Sequence, residues 1–482
     1  MKIKPELIQR AFLAFTVGLF LSCAARVSQA QELDRTKKPA SGAPVVLRIP
    51  AMQMRALKNG IKVGVLEQHE IPLVAVRVVV DAAPVLDPTG KSGVASLTAT
   101  MLAEGTTTRT ADQLAEAFAD LGNSVSPNGF TTVTANVDSS LALLADMLLH
   151  PAFPAASLER LRQNNLANIK RLRDNPQYLA RRVQSNVLWG TGHPYERVVS
   201  EQSLGAITRD DLVAFHGKYY RPQNVKFVVS GDITPAAAIA KLEKAFGKWP
   251  AGGFKARYTI PAAKSATAGT VYLYDRPNSP QSILLVSAVG PERTSPDYYA
   301  IDLMNTALGG AFSSRLNLNL REKRGFTYGA STGFQYRLPP QPGEFIASSA
   351  VTAAKTDSAL LEMMREVREI RGTRPLTAEE LAFAKSSETK SLPLGFETID
   401  QIASAGVNIL RDGLPADYYN TISTKLRAVT LAQANAAAKK YVDPSRLVIV
   451  VIGDRKEIEA ALRAAKVGPV VVVDESGVPT TK

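Results

Sequence analysis

Residues 207–232 read ITRDDLVAFHGKYYRPQNVKFVVSGD, and residues 429–454 read VTLAQANAAAKKYVDPSRLVIVVIGD. The two stretches align without a gap. Each passes through a helical pattern to Lys-Tyr, crosses a Pro turn and enters a β-branched run ending in Gly-Asp. Thr, Ala, Lys, Tyr, Pro, Val, Gly and Asp recur in the same order. Self-similarity over this length marks a duplicated structural unit. The likeness extends weakly upstream, where Phe153-Pro154 opens one long helical pattern and Arg374-Pro375 opens another. Two homologous halves are expected, at 45–250 and 270–467. A linker at 251–269, rich in Pro, Gly, Ala and Lys, joins them, and a tail follows at 468–482.

Within the halves, strands and helices alternate in kind. Residues 73–80 (LVAVRVVV) and 283–289 are β-branched or apolar runs that read as strands, and the alternation at 131–137 reads as another. Residues 92–102, 111–121, 158–173 and 299–308 carry helical patterns. This order suggests α+β halves, each a sheet with helices packed on one face.

Composition narrows the class. With 45% apolar and 21% charged residues, the 482-residue chain is ordinary globular protein. Its length can bury a large core without disulfides or metal. The first residues read differently: Lys2, Lys4 and Arg10 precede an apolar run at 11–25, and Ser28-Gln29-Ala30 offers the small residues of a cleavage site. Residues 1–30 are therefore expected to be a secretory signal peptide, too short in its apolar run to span a membrane. Cys23, the one cysteine, lies inside this segment beside Ser22, and Phe20 argues against a lipidation site there. The mature chain then has no thiol chemistry, and secretion across the inner membrane to the periplasm is expected. The net charge of +13 comes without an aromatic-interleaved basic patch or a nucleic-acid motif, so nucleic acid is not an expected partner. No later stretch is long and apolar enough to span a membrane.

Residues 93–106 read GVASLTATMLAEGT. The segment resembles the active-site helix of the insulinase/pitrilysin peptidase family, which includes mitochondrial processing peptidase and bacterial homologues. Active members read G-x-A-H-x-x-E-H-M-L-x-x-G-T. Gly93, Ala95, Met101, Leu102, Gly105 and Thr106 match, whereas Ser96, Ala99 and Thr100 stand where the two His and the Glu belong. In the active motif two His four residues apart share a helical face and bind zinc, and the Glu is general base to the bound water. Hydroxyls are poor zinc ligands, and Ala offers no ligand atom at all. The family's third ligand, a Glu on a later helix, falls near Asn168 in the looser match through 158–176, and no Glu lies between Arg160 and Tyr195 to replace it. His69, His150, His193 and His216 show no metal-ligand spacing and read as structural or surface residues. Ser96 lacks the surroundings of a nucleophile. No metal is expected in this chain.

The second half is closer to the family. Residues 308–334 read LGGAFSSRLNLNLREKRGFTYGASTGF. This resembles the family's second-half signature, in which an Arg and a Tyr seven residues apart face the zinc and stabilise the developing oxyanion. They map onto Arg321 and Tyr328. Gly325 is expected to end the helix that carries Arg321, and the following strand to return Tyr328 beside it. On spacing alone the plainer reading leads, with Arg321 a helix C-terminal cation and Tyr328 a core strand residue; the intact motif around them turns the balance to the oxyanion role. Gly309 and Gly310 form either a substrate loop or a tight turn.

The resemblance covers roughly 45–467, nearly the whole of the expected mature chain. It implies halves with a mainly antiparallel sheet of the processing-peptidase/LuxS-like metallohydrolase type. It also implies a non-catalytic subunit, inactive alone, that pairs as a heterodimer with a zinc-bearing homologous subunit and binds peptide substrate. A stand-alone periplasmic peptide-binding or scaffold pseudopeptidase remains the other reading.

Overall fold

Thr208 and Thr430, equivalent in the repeat, each accept a hydrogen bond from the backbone N–H three residues on, at Asp211 and Gln433, and each closes a capping box. The two repeats therefore begin on equivalent N-terminal caps. The computed structural model describes residues 49–263 and 268–480; the expected signal peptide at 1–30, with Cys23, lies outside them.

The first half runs β1 (Gln53–Ala56), β2 (Lys62–Glu67), β3 (Leu73–Val80), α1 (Val94–Met101), α2 (Ala111–Ala119), β4 (Gly129–Val133), α3 (Val137–Leu149), α4 (Ala155–Arg173), α5 (Pro176–Trp189), α6 (Glu201–Ala206), α7 (Arg209–Tyr219), β5 (Val225–Gly231) and α8 (Pro235–Phe246). The second runs β6 (Val271–Asp275), β7 (Gln281–Glu292), α9 (Tyr298–Asn305), α10 (Arg315–Asn317), β8 (Thr327–Gln335), β9 (Pro342–Thr352), α11 (Thr356–Glu369), α12 (Ala378–Ser391), α13 (Ile399–Asp412), α14 (Tyr418–Ala428), α15 (Leu431–Tyr441), β10 (Val448–Gly453), α16 (Arg455–Ala464) and β11 (Val470–Val473). The sheets are ordered β1-β2-β5-β3-β4 and β11-β6-β10-β7-β9-β8. The core order β2-β5-β3-β4 in one matches β6-β10-β7-β9 in the other. In both, the strand from the repeat pairs parallel on one side and antiparallel on the other. The fold is α+β in two similar halves, each sheet mainly antiparallel as expected, with parallel pairing at β2/β5, β6/β10 and β6/β11.

Alternate residues of the central strands point to different cores. In β3, Val74, Val76 and Val78 pack with the first half's own helices, while Ala75 packs against Ile399 and Ala403 of α13. In β10, Ile449 and Val451 join the second half's helical core, while Val448, Val450 and Ile452 pack against Val183, Val187 and Trp189 of α5. Each half thus lends one helix to the far face of the other half's sheet. Burial on both faces is why these strands read as continuous apolar runs. Gly406 of α13 makes the close approach possible: a Cβ there would meet Val228 Cγ1 at 2.7 Å and Leu66 Cδ1 at 2.8 Å. Polar contacts cross the same seam, with Arg77 of β3 paired to Asp400 of α13 and Gln184 of α5 donating to Glu344 of β9 at 2.9 Å.

Three sequence expectations need correcting. The alternation at 131–137 ends as a strand at Val133, because Thr134–Asn136 forms a 3-10 turn and Val137 begins α3 with its side chain buried. The helix expected through 308 stops at Asn305 and widens into a π-helical turn, Thr306–Gly310. The stretch read as a tail contains β11, which pairs with β6 at the edge of the second sheet.

Candidate functional site

Helix α1 is fixed at its start by Asp87, whose buried carboxylate accepts from Gly93 N–H and Ala95 N–H, both at 2.7 Å. Burial pushes the Asp87 carboxyl up despite these two bonds, which act in the opposite direction. Val94, Ala95, Leu97, Thr98 and Met101 form the buried side of the helix. Ser96 and Thr100 are exposed and Ala99 is half-buried, so the positions of the family's two His and Glu share the remaining face. The Thr100 hydroxyl is already used, donating to the Ser96 carbonyl at 3.0 Å. Asn168 lies on α4, which packs against α1. Its Oδ1 accepts from Arg171 at 2.8 Å, and no hydrogen bond joins it to Ser96 or Thr100. Two hydroxyls, a methyl and an amide do not make a zinc site, since none is a thiolate, imidazole or carboxylate. Among the described residues no group of three His, Cys, Asp or Glu could hold a metal ion.

The histidines have other partners. His193 is buried, stacks on Trp189 at 5.0 Å, accepts from Tyr195 N–H through Nδ1 and so donates through Nε2 to the Pro261 carbonyl. His216 bonds the Leu148 carbonyl, and burial lowers its pKa. His69 is exposed between Asp232 and Glu67, whose hydrogen bonds raise its pKa. His150 lies 3.5 Å from Asp146.

In the second half the segment 306–330 is held with unusual backbone. The two π-helical turns among the described residues, Thr306–Gly310 and Leu318–Lys323, both fall here. Such turns recur at functional sites. Gly309 packs directly on β8, since a Cβ would lie 2.5 Å from Thr332 N; Gly310 is exposed. Close approach accounts for the first glycine, and the turn it forms is tied to β8 by Thr332 donating to Asn305 Oδ1 at 2.8 Å.

Arg321 is in the second π-helical turn, which gives way to Gly325 at φ +63°. Its guanidinium lies over the Phe312 ring, 4.4 Å from the centroid, and 3.5 Å from Glu322. Tyr328 follows on β8 and is 91% exposed. The expected return of the strand occurs, but no hydrogen bond or ring contact joins Arg321 and Tyr328. Nor is Tyr328 a core residue. The reason is a β-bulge: Thr327 pairs with Val351 and Ala330 with Ser349, so Tyr328 and Gly329 together oppose Ala350. Regular alternation would put Tyr328 on the buried face with Ala330 and Thr332. The extra residue breaks the phase and turns the ring outward. Sequence reasoning missed Phe312 beneath Arg321, Asn317 beside the bulge and the bulge itself. The signal available was Gly329, a glycine inside a strand pattern.

Comparison with known proteins agrees with this architecture. The family model described as insulinase (peptidase family M16) matches residues 63–193, and the one described as peptidase M16 inactive domain matches residues 206–388. A Bacillus subtilis (strain 168) relative, "Uncharacterized zinc protease YmxG", is 25% identical over 401 residues, 80% of this chain and 90% of its own. A Helicobacter pylori relative (strain ATCC 700392 / 26695), "Non-peptidase homolog YmxG", is 22% identical over 322 residues, 66% of this chain and 73% of its own. The crystal structure of a peptidase M16 inactive domain from Pseudomonas fluorescens matches with a TM-score of 0.75 and 29% identity, covering 84% of this chain and 98% of that one. Two matched family models spanning both halves, a shared fold and a recognisable but altered α1 face lead to one conclusion: the chain belongs to the insulinase/pitrilysin (M16) peptidase family.

Proposed function

We propose that the chain is the non-catalytic subunit of a two-chain zinc peptidase. It pairs with a zinc-bearing homologue, helps close a chamber around a peptide, and supplies Arg321 and Tyr328 to the partner's zinc site. The zinc is the partner's. The supporting observation is an asymmetry between halves. The α1 face offers Ser96, Ala99 and Thr100 and cannot activate water, whereas the 308–334 segment is whole and presents Tyr328 at 91% exposure. A phenol and a guanidinium are donors suited to a developing oxyanion where water is excluded. Contact of the Gly309-Gly310 turn with the bound peptide belongs to the same proposal. The name "Non-peptidase homolog" carried by the Helicobacter pylori relative supports the loss of chemistry. The pattern of residues 1–30 supports export to the periplasm, and no helix among the described residues is long and apolar enough to cross a membrane.

The test is substitution in the assembled complex. Tyr328→Phe and Arg321→Ala should each lower turnover by roughly 10²–10³, the usual loss on removing one oxyanion donor. Complex yield and Tm should stay near wild type. Full activity in both variants, with the complex intact, would make the pair structural and the chain a scaffold subunit.

A further inference from the structure

Arg321 and Tyr328 do not touch, yet one buried side chain reaches the surroundings of both. Asn317, 4% exposed, ends α10 four residues before Arg321. Its amide donates to the Phe312 carbonyl at 2.7 Å, and the Phe312 ring is the surface on which the Arg321 guanidinium rests. Its Oδ1 accepts from the Ala330 N–H at 3.1 Å, the first backbone donor past the bulge.

The bulge needs such help. Two residues oppose one, so the strand ladder leaves backbone groups without their regular partners. Side chains take over. Gly329 N–H donates to Thr327 Oγ1 at 3.0 Å, the Thr327 hydroxyl donates to the Ala350 carbonyl at 2.6 Å, and the Ser349 hydroxyl donates to the Gly329 carbonyl at 3.0 Å. Asn317 satisfies the buried amide at Ala330, whose loss of a partner would be costly. Without these bonds the register would slip toward regular pairing, which carries Tyr328 to the other face.

We propose that Asn317 is the positioning residue of the Arg321/Tyr328 pair, fixing the bulge that aims Tyr328 and the Phe312 loop that supports Arg321. The proposal rests on the reading of these two residues as transition-state donors. Thr327 and Ser349 complete the support on the Tyr328 side.

The experiment is a double-mutant cycle in the complex with a zinc-bearing homologue, read as kcat and KM on a peptide, together with amide exchange on the chain alone. Asn317→Ala should lower kcat by up to the ~10²–10³ that loss of a donor costs, with little change in KM. Its effect should be less than multiplicative with both Tyr328→Phe and Arg321→Ala. In the isolated chain it should speed exchange at the Ala330 amide and leave the Val229 amide unchanged. Fully multiplicative losses with both variants, or unchanged exchange at Ala330, would overturn the positioning role while Tyr328→Phe still cripples turnover. If Tyr328→Phe itself leaves turnover intact, the donor reading has failed and the proposal falls with it. Should Asn317→Ala not fold, Ser349→Ala removes only a hydroxyl and carries the same test: a lowered kcat, less than multiplicative with Tyr328→Phe, supports the role, and an unchanged kcat contradicts it.

Discussion

The proposal turns on Ser96, Ala99 and Thr100, whose side chains carry neither a strong zinc ligand nor a general base whatever fold surrounds them. The residue types on this face, and the helix that carries them, were legible in the sequence. Purified chain should hold no stoichiometric zinc after dialysis; elemental analysis finding one tightly bound zinc per chain would sink that expectation. The surroundings of Tyr328 were not read from the sequence, because its direction depends on a register shift between β8 and β9 whose trace in the sequence is a single strand glycine, Gly329. Asn317 was hidden for a related reason: one of its hydrogen bonds is local, to the Phe312 carbonyl, but the other reaches Ala330 on the bulged strand, and residue spacing does not reveal that pairing. A second residue-scale expectation concerns Asp302 of α9. Burial, with Glu388 adding to it, pushes its carboxyl up to about 7. The folded value lies above the unfolded one, so this group favours the fold at low pH and loses that contribution as pH rises from about 4 through 7. Asp302→Asn should therefore lose less Tm between pH 5 and pH 8 than wild type does. Equal pH slopes for the two proteins would show that Asp302 is not so perturbed.

At the scale of elements, the helices α5 and α13 matter most. Their amphipathic character follows from the chain, but periodicity cannot say which sheet receives a helix. Each crosses to the opposite half, and that choice emerges only from tertiary packing. The strand runs did carry a hint: LVAVRVVV in β3 and VIVVIG in β10 are too continuously apolar for a sheet wet on one side. Gly406 is the point of closest approach between α13 and the first sheet. Gly406→Val should destabilise the chain by about 1–3 kcal/mol, the typical cost of overpacking. Denaturant unfolding measures this, and an unchanged midpoint would mean that α13 stands off the sheet. The strand at 131–137 shows the opposite failure. Its alternation of Thr and Val is equally compatible with a short strand, a turn and the buried start of a helix, and only the pairing of β4 with β3 ends the strand at Val133.

At the scale of the molecule, the duplication was readable from 207–232 and 429–454 because both copies keep the same cap, turn and strand. The interlocking of the halves was not, since it joins residues across the repeat: α5 with β7 and β10, α13 with β2, β3 and β5. Neither half should fold alone, because each sheet would lose the cover of one face. Expressed separately, residues 45–250 and 270–482 should lack a cooperative thermal transition; two independent sharp transitions would contradict the interlock. The central claim, that the chain serves chemistry performed by a partner, is tested most directly with a fluorogenic peptide. The chain alone, a zinc-bearing homologue alone and the mixture are assayed with and without chelator. Only the mixture should show strong, chelator-sensitive hydrolysis, and chelator-sensitive hydrolysis by this chain alone would contradict the account.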